Sequence, residues 1–120
     1  AKCMSEPFLK AEISKATEKI ANLQSTIDYY LKQQATAKQT ISDYEKKPSI
    51  AKLLSNKNIV NLAQATLTSI QRELPGAEDD LHLQENRKLK YCKQLEELLL
   101  LQEEMRTRGH AHIHAAGNIL

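Results

Sequence analysis

The side chains with the clearest capacity for chemistry in this chain are three histidines near its end, His110, His112 and His114. In a helix, His110 and His114 share one face at a spacing that can bind zinc, and in an extended strand all three imidazoles project to one side. Histidines also titrate near neutral pH. No Cys, Asp or Glu adjoins them to complete a tetrahedral site. The pattern leaves open a metal- or pH-responsive regulatory role for this segment, but we assign it no metal ligands and no cofactor.

The sequence offers little else for catalysis. It contains no Ser-His-Asp arrangement, glycine-rich phosphate loop or paired-carboxylate motif in a recognisable context. The two cysteines, Cys3 and Cys92, lie in different contexts and do not indicate a disulfide framework, which favours a reducing compartment. We therefore predict a cytoplasmic protein that is not an enzyme and has no evident small-molecule substrate.

Positive charge is spread rather than concentrated. The formal net charge is +2 over 120 residues, and lysines and glutamates are interspersed along the first predicted helix. One local basic cluster is flanked by glutamates at positions 85, 96 and 97; its members are Arg87, Lys88, Lys90 and Lys93. A dedicated nucleic-acid module usually shows a stronger basic face, so this composition disfavours nucleic acid as the partner.

Composition predicts an all-α chain. Three glycines, three prolines, one Phe and no Trp do not suit a sheet, whereas Leu, Ala, Gln, Lys and Glu are abundant and favour helices. No stretch approaches the eighteen consecutive apolar residues of a membrane-spanning helix. A single helical domain follows from these observations.

Apolar residues recur between Leu9 and Tyr44 at alternating steps of four and three. The average step of 3.5 residues places them on one side of a helix, as in a coiled coil. We call this set the first seam; it consists of Leu9, Ile13, Ala16, Ile20, Leu23, Ile27, Tyr30, Gln34, Ala37, Ile41 and Tyr44. Such a seam has to be covered by another helix.

Proline and glycine divide the chain into three predicted helices. Pro48 ends the first, because the residue before a proline is disfavoured in a helix, and Pro75-Gly76 ends the second. Gly109 supplies a left-handed cap for the third. The helices are expected at about 6–46, 49–74 and 77–108, forming an elongated bundle or coiled coil of three long antiparallel helices over residues 1–109. Residues 110–120 form a histidine-containing C-terminal tail.

Two details refine these bounds. Ser5 is a candidate N-cap for the first helix, and Asn56 to Asn58 form a weak point where the second helix can break and restart, with Asn58 as the cap. The second helix carries its own seam, again with steps of three and four; its members are Leu53, Asn56, Val60, Ala63, Leu67, Ile70 and Leu74.

Three features predict surfaces for a partner. The first helix is longer than the second, so its excess seam, with Ile13 and Ile20, is expected to overhang. The leucine stretch, Leu98 to Leu101, spans most of a helical turn and cannot all face one core, which points to Leu100 and Leu101 as contacts.

The third feature is the absence of charge from residues 58 to 71. The outer positions of this segment are polar but neutral; they are Asn61, Gln64, Thr68 and Gln71. Either this is a middle helix half covered by two neighbours, or its free face meets another chain, since interface centres are depleted of charge. We predict a non-enzymatic helical module that scaffolds or docks partner helices through apolar seams, with self-association and a protein partner both compatible.

Overall fold

The computed structural model describes the backbone of residues 4–119 and the side chains of residues 4–109. It contains three helices: α1, Glu6–Glu45; α2, Ser49–Leu54; and α3, Lys57–Ile119. Residues 4–119 contain no strand, so the predicted all-α class is confirmed. The prediction of three long antiparallel helices is supported only in part, because two helices of 40 and 63 residues account for most of the chain and α2 has only six.

The start of α1 follows the predicted cap. The Ser5 hydroxyl oxygen accepts from the backbone N–H of Phe8 at 3.3 Å, and the Ser5 carbonyl accepts from Leu9 at 3.0 Å. One otherwise unpaired N–H at the helix start is thereby satisfied. Pro7 lies in the first turn, where a proline removes no intrahelical hydrogen bond.

The chain reverses between α1 and α3 through a short, basic connection. After α1 ends at Glu45, Pro48 precedes the single-turn helix α2, and the Pro48 carbonyl accepts from Lys52 at 2.9 Å. The predicted break before Asn58 is confirmed, but its cap is a different residue. The side-chain oxygen of Asn56 accepts from the Asn58 N–H at 2.9 Å, so α3 begins at Lys57.

Helix α3 continues without a break across Pro75-Gly76, where the second helix was predicted to end. Pro75 lacks the N–H that would bond the Gln71 carbonyl, a defect that costs about 3 kcal/mol in a helix interior. Both Pro75 and Gln71 are exposed, so water can reach that carbonyl. Leu74 and Ala77 lie half-buried on the covered side, and their burial keeps the helix continuous.

The predicted stop at Gly109 is also wrong. The helix continues to Ile119, and Gly109 does not adopt the positive φ of a left-handed cap. The predicted histidine tail therefore begins inside the helical part of the backbone. The side chains of His110, His112 and His114 lie outside the residues whose side chains are described.

Two compact units make up the chain: one joins the residues up to Glu18 with those from Gln84 onward, and the other spans Lys19–Leu83. In the second unit, Tyr30 and Ile70 line one groove, whereas Tyr44 and Val60 line another. Later residues of α1 thus lie beside earlier residues of α3, which makes the two helices antiparallel there. In the first unit, the rings of Phe8 and Tyr91 meet edge to face, with centroids 6.4 Å apart.

All eleven residues of the first seam are buried or half-buried, which confirms that the seam is the packed face of α1. The matching seam on α3 has the same alternating steps of three and four and is covered throughout. Its residues are Val60, Ala63, Leu67, Ile70, Leu74, Ala77 and Leu81 in the second unit, and Gln84, Lys88, Tyr91, Leu95 and Leu98 in the first. The predicted seam residues Leu53 and Asn56 are exposed and do not belong to it.

Replacing the helix breakers inside α3 should stabilise the protein. We expect the double variant Pro75→Ala/Gly76→Ala to raise the free energy of unfolding by about 2–4 kcal/mol, because it restores a backbone hydrogen bond and removes glycine freedom. A Cβ at position 76 meets no atom within 4 Å, so the change is sterically free. Thermal unfolding followed by circular dichroism measures the effect. Gly109→Ala is the control, because a Cβ at position 109 also meets no atom within 4 Å. The residues before it, from Leu99 on, are exposed, so this change should alter the melting temperature little. An unchanged or lower melting temperature for the double variant would indicate a chain break at Pro75.

Truncating the seam should be costly. Ile70 is buried on α3, so Ile70→Ala should lower the free energy of unfolding by about 2–5 kcal/mol and Ile70→Val by about 0.5–1.5 kcal/mol. Leu62 lies exposed on the same helix, and Leu62→Ala should stay within about 0.5 kcal/mol of the unmodified protein. Urea unfolding of the three variants provides the comparison, and equal losses at positions 62 and 70 would contradict the assigned packing.

Candidate interaction surfaces

The leucine stretch lies in the first unit and presents most of its side chains to solvent. Leu98 is half-buried at the end of the α3 seam, whereas Leu99, Leu100 and Leu101 are exposed, together with Met105 one turn further on. Four successive leucines span most of a turn, so one neighbouring helix cannot cover them all. The result is an apolar band on an otherwise charged part of α3.

The band lies beyond the first turn of α1. Helix α1 begins at Glu6, and Phe8 lies beside Tyr91, about two helical turns before Leu99 on α3. From Leu99 to Gly109 every side chain is exposed.

A shallow groove on α3 adjoins the leucine stretch. It is lined by Cys92, Leu95, Glu96, Leu99 and Leu100, and its surface is mostly apolar. Cys92 is a half-buried free thiol in this groove. Its walls come from one helix, which leaves room for a second helix to pack against them.

A charge pair borders the leucine stretch on its C-terminal side. Both carboxylate oxygens of Glu103 accept from the Arg106 guanidinium, one of them from Nε at 3.1 Å. These hydrogen bonds, with the adjacent positive charge, lower the pKa of the Glu103 carboxyl and raise that of Arg106. The pair is fully exposed, so it marks a polar rim and contributes little to stability.

The uncharged positions of α3 form a second surface. Asn61, Gln64, Thr68 and Gln71 are all exposed in the second unit. The interpretation of this segment as a middle helix covered by two neighbours is therefore wrong, because α1 alone packs on it within that unit. The Thr68 hydroxyl donates to the Gln64 carbonyl at 3.1 Å, so part of the polar face is satisfied within the helix.

The predicted overhang of the first helix is wrong. Ile13 and Ile20 are half-buried, like the rest of the first seam, because uninterrupted α3 is long enough to cover α1. Their assignment as partner contacts remains a prediction, but the uncovered end that motivated it belongs to α3. The missed sequence signal was the continuation of the seam steps from Leu74 to Ala77 across the proline.

A third exposed apolar set was missed altogether and lies at the chain reversal. Helix α2 has no buried residue, and three of its six side chains are large, apolar and exposed; they are Ile50, Leu53 and Leu54. Sequence reasoning placed Leu53 on a seam of the second helix. The helix break at Ser55 and Asn56 removes it from that register.

No cluster of three or more potential metal ligands occurs among the residues with described side chains, a range that stops short of His110. Nor does any described helix have the length and apolar character needed to cross a bilayer. In comparisons with protein-family models, curated proteins and solved structures, nothing matches this chain. The interaction surfaces therefore have to be interpreted from their own chemistry.

The charge pair beside the leucine stretch makes a pH-dependent prediction. Arg106→Gln should return the pKa of Glu103 upward to its ordinary range, as followed by carboxyl NMR titration. A lowered pKa in the folded state stabilises the fold above the ordinary carboxyl pKa, and that stabilisation is lost as the pH falls through the lowered value. Because the pair is exposed, the melting temperature at neutral pH should be nearly unchanged. An unaltered Glu103 titration would contradict the assigned pairing.

Proposed function

We propose that this chain is a non-enzymatic, cytoplasmic helical module that scaffolds or docks partner proteins by burying apolar helix surface. The observation that carries this proposal is the leucine stretch. Its first residue, Leu98, ends the covered α3 seam, and the next three leucines are exposed beyond the start of α1.

The chemistry of this surface suits a partner helix. Leu100 and Leu101 offer branched apolar side chains next to the groove that contains Leu95 and Leu99. A helix packed there would fill the groove and bury the exposed leucines beside it. Burial of apolar surface contributes roughly 25 cal/mol per Å², before the costs of association are subtracted.

The uncharged face of α3 is a second docking surface in this proposal. Asn61, Gln64, Thr68 and Gln71 bear no charge, so covering them requires no ion to be desolvated. Ile13 and Ile20 receive less weight, because α3 already half covers them.

Self-association offers the most direct test. We expect the light-scattering mass to rise above that of the 13.6 kDa chain with increasing concentration. Leu100→Glu/Leu101→Glu should weaken that association by roughly a hundredfold or more, since it places two charges in the apolar contact.

The matched control is Leu83→Glu/Leu89→Glu. Leu83 and Leu89 are 50% and 55% exposed, close to the 59% and 52% of Leu100 and Leu101, and they lie on the same helix. These changes should leave the association intact.

A chain that stays monomeric at all concentrations contradicts self-assembly. If the unmodified chain and the Leu100/Leu101 variant also capture the same proteins from cell extract, the leucine stretch is not a docking surface.

A further inference from the structure

Helix α2 turns its apolar side outward. Ala51, Lys52 and Ser55 are half-buried on the side that faces the rest of the second unit. The large apolar residues point the other way and are 74%, 80% and 84% exposed; they are Ile50, Leu53 and Leu54. Their spacing of three and four residues places them on one helical face. We call these three residues the α2 tip.

Specific contacts hold the inward side of α2 in place. The Lys47 ammonium donates to the Ser55 hydroxyl oxygen at 3.0 Å, and that hydroxyl donates to the Ala51 carbonyl at 2.7 Å. The Lys52 ammonium lies 5.9 Å from the centroid of the Tyr44 ring. These contacts hold the side of α2 that bears no large apolar residue against the rest of the second unit. The α2 tip therefore faces outward.

Most charged residues around the α2 tip are basic, although Asp43 lines a groove with Lys47 and Ser55. No Asp or Glu occurs between Glu45 and Glu73. Within that interval the chain carries a formal charge of +5: four charges come from Lys46, Lys47, Lys52 and Lys57 near the reversal, and the fifth comes from Arg72, which pairs with Glu73. The sequence thus concentrates positive charge at the reversal, although the whole chain has a net charge of only +2.

We infer that the α2 tip and the exposed lysines beside it, Lys46 and Lys57, dock on the surface of an anionic lipid bilayer. Lysine is depleted at protein–protein interfaces, whereas exposed apolar side chains among lysines match a surface of hydrocarbon and anionic headgroups. The six residues of α2 span about 9 Å, which suits shallow insertion at the headgroup boundary. The long side chains of Lys46 and Lys57 can extend to keep their charges among the headgroups.

Binding of this kind needs both components. A single short apolar element binds a bilayer weakly, and a basic patch near anionic lipid adds a factor of roughly five in partitioning for each lysine. Salt screens the second contribution. This surface is separate from the leucine stretch, so the inference does not depend on the proposed docking of partner helices.

Flotation of the full-length chain with vesicles tests the inference. We expect it to float with vesicles of phosphatidylcholine and phosphatidylserine, and to float at least roughly tenfold less with phosphatidylcholine alone. Leu53→Glu/Leu54→Glu should abolish flotation. Lys46→Gln/Lys57→Gln should weaken flotation by roughly twenty-fivefold. Added salt should also weaken flotation of the unmodified chain, because it screens the lysine charges.

The control is again Leu83→Glu/Leu89→Glu, which removes two exposed leucines of α3 and should float like the unmodified chain. Circular dichroism of each variant verifies that the helices are retained, and the lysine variant supplies an independent test should the leucine variant unfold. Equal flotation on both vesicle types overturns the inference, as does undiminished flotation of a folded Leu53/Leu54 variant. If changing the α2 tip abolishes self-association while flotation persists, the tip is a protein contact and the inference fails.

Discussion

The structure depends on one constraint: the apolar seam of α1 and the apolar seam of α3 have to cover each other. Two helices share only one line of contact, so most seam residues remain half-buried. Five residues with described side chains form the buried core: Leu9, Ala16, Ala37, Ala63 and Ile70. Three of them are alanines, which let helix backbones approach closely but bury little apolar area. The stabilising contacts are therefore spread along the helices, and an uncovered stretch of seam remains able to bind another surface.

This dependence explains which parts of the fold could be predicted. The helical class, the first seam, the Ser5 cap and the end of α1 before Pro48 follow from neighbouring residues and regular spacing, and the structure agrees with all of them. The errors at Pro75-Gly76 and Gly109 came from applying local helix-stop rules alone. Leu74 and Ala77 keep the seam spacing across the proline, so burial of the next turns offsets a local defect. That contribution comes from packing against α1 and cannot be read from a dipeptide.

The candidate surfaces were predictable to different degrees. Exposure in the leucine stretch follows from helix geometry, because four consecutive leucines cannot share one face. Which helix extends beyond its partner could not be decided without knowing that α3 continues through Pro75. The α2 tip was hidden for the opposite reason. Leu53 fits the three-and-four spacing by chance, and only the break at Asn56 separates it from the seam.

The leucine stretch and the α2 tip differ in charge, and this difference is why we propose different partners for them. Around the leucine stretch the nearest charged residues are mostly acidic, with Glu96, Glu97, Glu103 and Glu104 preceding Arg106 and Arg108, and Glu103 pairs with Arg106. A partner there gains mainly from apolar burial. At the α2 tip, lysines outnumber the nearby carboxylates, because no Asp or Glu occurs between Glu45 and Glu73. Covering that surface with a neutral protein would desolvate ammonium groups without compensation, whereas an anionic surface supplies the opposite charge while the lysines stay hydrated. The same apolar content thus favours a helix at one site and a charged interface at the other.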